Sequence, residues 1–146
     1  MHPYTYRVSL RLTHPQADLR ELGALVEEQA GHSGGWRAGD PRVTPKGTVL
    51  GGVRNESYWT TRLTRDHEPR NSQDEDLETF LERQLDRLAP QAESLARFNQ
   101  DGGRAMLFIG LFCTANSGLI LSPALMAKAA ALGIELGLDI YPPDAA

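Results

Sequence analysis

From Tyr4 to His14 the side chains alternate residue by residue, and no other stretch limits the possible folds so tightly. Tyr6, Val8, Leu10 and Leu12 point one way; Thr5, Arg7, Ser9, Arg11 and Thr13 point the other. A period of two belongs to an extended strand with one buried face. His14-Pro15 closes it, because proline lacks a backbone donor and disfavours a helical residue before it. Such a strand needs hydrogen-bonded neighbours and a layer to cover its apolar side.

The remaining chain supplies both. Asp18 and Glu21 have capping-box spacing ahead of Leu19, Leu22, Leu25 and Val26, which predicts a helix from Asp18 to near Ala30. Ser57 to Leu63 alternates as a second strand, with Tyr58, Thr60 and Arg62 opposite Trp59, Thr61 and Leu63. After the polar linker 66–71, Ser72 and Glu75 repeat the capping box. Leu77, Phe80, Leu81, Leu85 and Leu88, then Leu95 and Phe98, form a helical stripe kinked near Pro90. Arg104 to Thr114 is the most apolar strand. Ala115-Asn116-Ser117-Gly118 has hairpin-turn chemistry leading into a short strand at Leu119 to Leu121. Ser122-Pro123 opens a helix carrying Leu125, Met126, Ala129 and Leu132, and Ile134 to Tyr141 alternates as the last strand. The expected fold is α+β: a largely antiparallel sheet of five or six strands, with two or three helices mainly on one face. Leu10, Leu12, Leu136 and Leu138 should be nearly inaccessible.

All 146 residues read as one domain (1–146), with a glycine-rich loop at 31–55 and a tail at 142–146. The formal charge of −4 argues against a wholesale nucleic-acid footprint, and no apolar run is long enough for a membrane helix. No signal peptide is evident, so the expected compartment is the cytoplasm. One cysteine, Cys113, excludes an intrachain disulfide and reads as a buried strand residue. His2, His14, His32 and His67 fall in separate polar segments without metal-ligand spacing and read as exposed. Neither a phosphate loop nor a nucleophile elbow is present, so no cofactor, metal or catalytic residue is assigned. The acidic helix positions Glu78, Glu82 and Asp86 read as a solvated face.

One segment stands out. Residues 31–55 hold seven of the fourteen glycines and a local charge of +3, from Arg37, Arg42, Lys46 and Arg54 against Asp40. Trp36, Arg37, Asp40 and Arg42, with Glu56, Tyr58 and Trp59 on the following strand, form the candidate site. Guanidinium is a planar bidentate donor and indole supplies apolar area, so an anion or peptide would suit it. The structural alternative is a lid, with Trp36 plugging the open side of the sheet and Glu56 paired to one of the arginines.

The opening strand Tyr6-Arg7-Val8-Ser9-Leu10, the segments Trp36-Arg37-Ala38-Gly39-Asp40-Pro41 and Glu56-Ser57-Tyr58-Trp59, and the closing Gly133-Ile134-Glu135-Leu136 and Leu138-Asp139-Ile140-Tyr141 carry a resemblance. The chain resembles the bacterial domain of unknown function 4279 family over nearly its whole length. The resemblance implies a small cytoplasmic α+β protein and transfers no active site. The expected function is non-catalytic interaction or binding, with an immunity-type inhibitor of a bacterial toxin as one form. The alternative is a small-molecule or anion site, or an enzyme, built on the Trp36–Arg42 loop and the Glu56–Trp59 strand. The partner would be a toxin-like protein or a second copy. The second copy has its own motive: Leu107, Ile109, Leu111 and Cys113 occupy one face of their strand, and Met106, Phe108 and Phe112 the other. Helices on one side leave one set in water unless the 31–55 loop or a symmetric homodimer covers it.

Overall fold

The computed structural model describes residues 2–65 and 68–144. In chain order it contains β1 (Tyr4–His14), α1 (Arg20–Val26), β2 (Ser33–Trp36), β3 (Pro41–Val43), β4 (Val49–Val53), β5 (Ser57–Arg62) and β6 (Arg70–Asn71). These are followed by α2 (Leu77–Leu88), α3 (Ala92–Gln100), β7 (Arg104–Cys113), α4 (Pro123–Ala131) and β8 (Ile134–Tyr141). His67, the start of the 66–71 linker and the end of the 142–146 tail lie outside the described residues.

The main sheet has the order β2-β5-β1-β7-β8, with β6 lying beside the start of β1. β1 runs antiparallel to β7 along its length, from Tyr4 opposite Cys113 to Thr13 opposite Arg104. β5 pairs with the second half of β1, also antiparallel. β8 is parallel to β7, and α4 makes the crossover. The fold is α+β, with a mixed, mostly antiparallel sheet. Tyr4, Tyr6, Val8, Leu10 and Leu12 of β1 meet Leu107 and Ile109 of β7 and the buried stripes of α2, α3 and α4 in one core. A single turn of tighter helix, Ala89–Gln91, carries Pro90 and joins α2 to α3 where the kink was expected.

Several expectations need correcting. Residues 31–55 are not a loop. β2 is an edge strand of the main sheet, and β3 and β4 form a separate two-stranded ribbon. Gly35 shows why glycine is needed there: a Cβ would sit 1.9 Å from the Tyr58 carbonyl oxygen, so only hydrogen lets β2 approach β5. The segment 114–122 forms neither a hairpin nor a strand, and Ile120 is 78% exposed. Its turn residues feed the crossover instead. The helix predicted from Asp18 to Ala30 spans only Arg20–Val26: the backbone turns extended at Glu27, and Asp18 lies before the first turn, accepting the Arg20 N–H at 3.0 Å and the Arg20 guanidinium, with Nη2 at 2.6 Å. Those hydrogen bonds from Arg20 hold the Asp18 carboxyl down at about 2. Ser72 is not a cap either: its hydroxyl accepts the Tyr4 N–H, and Asp76 caps α2 by accepting from the Thr79 N–H at 2.8 Å. Leu136 is only half-buried and Leu138 is 47% exposed, because the helix layer stops short of the sheet's edge. His14 is buried: its Nδ1 accepts the Gln16 and Ala17 N–H groups, and its Nε2 lies 2.8 Å from Asp101.

Candidate functional site

Period two assigns alternate residues of each strand to the face without helices. β1 places Arg7, Ser9 and Arg11 there, β5 places Tyr58, Thr60 and Arg62, β7 places Met106, Phe108 and Phe112, and β8 places Asp139 and Tyr141. The expected cover for Phe108 and Phe112 is the glycine-rich segment or a second copy of the chain. The side chains of the sheet itself do much of this work. The Arg11 guanidinium lies 3.5 Å from the Phe108 ring centre, Arg7 lies 5.8 Å from that of Phe112, and Tyr141 stacks on Phe112 at 4.7 Å. Guanidinium planes bury aromatic area while keeping their charge at the surface.

Between these side chains is a shallow cavity of about 340 Å³, with Arg7, Arg11, Arg62, Phe108, Phe112 and Tyr141 in its lining. Gly110 lies on this face opposite Arg7, where a larger residue would project into the cavity. A Cβ there would meet its nearest neighbour, Phe112, at an ordinary 3.6 Å. Arg62 donates from Nη2 to Nδ1 of His32 at 2.9 Å. Arg11 Nε is buried without a hydrogen-bond partner, as is Arg54 Nε, and both guanidinium groups lie over aromatic rings. Asp139 accepts the Tyr141 hydroxyl at 2.8 Å, which raises that phenol's pKa.

The seven residues singled out from the sequence are only partly brought together. Trp36 and Tyr58 stack at 4.8 Å on this open face, with Arg54 3.8 Å above the Trp36 ring. Trp36 Nε1 donates to the Glu56 carbonyl at 3.1 Å, but the Glu56 side chain forms no ion pair among the described residues. Arg37 and Asp40 close a turn, the Arg37 N–H donating to the Asp40 carboxylate at 2.8 Å. Arg42 donates to the Gly51 carbonyl on the ribbon. Trp59 faces the helices and packs on Gly23, where a Cβ would come within 2.4 Å of its indole nitrogen. A polar cavity of about 420 Å³ gathers Trp36, Arg37, Asp40 and Trp59 with Asp18 and Arg20. Its charges are tied to one another or to backbone, and no nucleophile faces it.

Sequence reasoning overlooked Arg7, Arg11, Arg62, Phe108, Phe112 and Tyr141 as a group. The available signal was Arg-x-Ser-x-Arg on the polar face of the strand that hydrophobicity marks as central. Among the described residues no group of three or more His, Cys, Asp or Glu is placed to hold a metal ion. No described helix is long and apolar enough to cross a membrane. The acidic stripe is engaged rather than free: Glu82 and Asp86 both hold Lys128 of α4, at 2.8 and 2.9 Å, and Glu78 accepts the Ile120 N–H.

The family model described as Domain of unknown function (DUF4279) matches residues 4–143. No curated protein and no solved structure matches the chain.

Proposed function

This chain belongs to the DUF4279 family, and from that premise we propose a non-catalytic binding protein whose open sheet face holds an acidic segment of a partner protein. The observation that carries the reading is the Arg11 guanidinium, seated on Phe108 in a cavity it shares with Arg62 and Tyr141. A stacked guanidinium is already oriented, so less side-chain freedom is lost when a carboxylate engages its outer N–H groups. The ring faces of Phe112 and Tyr141 offer apolar area beside that charge. A compact cluster suits a few carboxylates better than a nucleic-acid strand, which calls for cations along a stripe. An immunity-type inhibitor of a bacterial toxin would be one such binder. We place it in a bacterial cytoplasm, a reducing compartment in which a lone cysteine stays a free thiol.

Fluorescence anisotropy with a labelled oligoglutamate peptide tests the reading. Wild type should bind in a salt-sensitive manner. Arg11→Glu combined with Arg62→Glu should weaken binding by at least about tenfold, or ~1.4 kcal/mol, with an unchanged circular dichroism spectrum. Arg97→Glu, on the far side in α3, should leave it unchanged. Absence of peptide binding, equal binding by the double variant, or tighter binding of a labelled oligothymidine would each overturn the proposal.

A further inference from the structure

β8 is an edge of the main sheet, and among the described residues no strand pairs with its outer side. Edge strands are ordinarily blunted by charged side chains, lysine above all, or by proline, a bulge or shortness. The other edge follows that rule: β2 has four residues, Ser33-Gly34-Gly35-Trp36, two of them glycine. β8 is guarded only by Glu135 and Asp139. It runs for eight residues, Ile134-Glu135-Leu136-Gly137-Leu138-Asp139-Ile140-Tyr141, with no lysine or proline, and pairs regularly with β7 throughout. Its apolar side is also uncovered at that edge, with Leu138 and Ile140 at 47% and 57% exposure.

We infer that β8 pairs antiparallel with β8 of a second copy, about a two-fold axis through Leu138. In a two-fold antiparallel pairing, opposite residues project from the same face, so the axis passes through a residue rather than between two. Centring on Gly137 sets Glu135 opposite Asp139, two like charges; centring on Asp139 sets that carboxylate against its own copy. Centring on Leu138 avoids both. Leu138 then faces Leu138, Leu136 faces Ile140, Gly137 faces Asp139 and Glu135 faces Tyr141. The two exposed apolar stripes become one, and Glu135 keeps its bidentate pair with Arg104 at 2.9 Å on the opposite face. Both open faces lie on the same side of the joined sheet, with Tyr141 of each copy beside the seam. The inference is independent of what the open face binds.

Sedimentation velocity across the micromolar range reads the state directly. Wild type should approach twice 16.1 kDa as concentration rises. Leu138→Lys, at a position exposed enough to keep the fold, should remain at 16.1 kDa. Leu50→Lys, on the separate ribbon, should behave as wild type. In a Cys113→Ala background, Leu138→Cys should form a disulfide-linked dimer on oxidation and Ile120→Cys should not. A wild-type monomer at every concentration, a dimer that survives Leu138→Lys, or cross-linking at Ile120 in place of Leu138 would overturn the inference.

Discussion

Tyr6 is buried completely, yet its hydroxyl donates to the Glu75 carbonyl at 2.8 Å. Burial is the main cause that pushes its phenol up from 10.0 to about 12. Between those values the folded chain keeps the proton that the unfolded chain releases. The contribution is therefore present in full below pH 10 and lost as pH rises to about 12. Stability measured by denaturant should fall across that window, by up to about 2 kcal/mol from this group. Tyr6→Phe should flatten that part of the profile while lowering stability at neutral pH. At Leu10, fully buried at the centre of β1, truncation to alanine should cost about 2–5 kcal/mol. Ile120→Ala should stay within about 0.5 kcal/mol, because the side chain is already in water. Period two identifies which side chains share a face, and it did so along β1, β5 and β7. It is silent on how far the helix layer extends, which is why Leu10 met its expectation and Leu138 did not.

Helix boundaries expose a different gap between pattern and structure. Asp18, Ser72 and Ser122 each carry a capping signature, but only Ser122 caps its helix, accepting from the Leu125 N–H at 3.1 Å. Asp18 and Ser72 have other partners, and the Ser72 partner, Tyr4, is distant in sequence. Asp76→Ala and Ser122→Ala should each cost about 1 kcal/mol in thermal or denaturant unfolding, and Asp18→Ala should cost well under that. Thr79 donation also holds the Asp76 carboxyl below its ordinary range, so its stabilising effect fades only in acid. The candidate face was hidden for a related reason. Arginines on a strand's polar side read as solvent-facing until the register brings Phe108 beneath Arg11, and register is a product of the whole sheet. The glycine-rich segment misled in the opposite sense: glycines signal loops locally, whereas here they permit the close strand approach at Gly35.

At the scale of the whole molecule, stability is unevenly distributed. β3 and β4 pair only with each other, and all their residues are exposed. Amide protons of the ribbon should exchange orders of magnitude faster than those of β1 and β7, as hydrogen exchange followed by NMR would show. Comparable protection would mean that the ribbon is held by contacts absent from the fold described. The central position of β1 has a further consequence for synthesis. Its residues leave the ribosome roughly a hundred positions ahead of β7, so at about 5–20 residues per second they wait some 5–20 s for that partner. During that interval Tyr6, Val8, Leu10 and Leu12 form an apolar strand without its long-range neighbour, of a kind that invites a chaperone or aggregation. Nascent chains arrested before Arg104 emerges should therefore remain protease-sensitive throughout, and protection should arrive abruptly once β7 is clear of the exit tunnel.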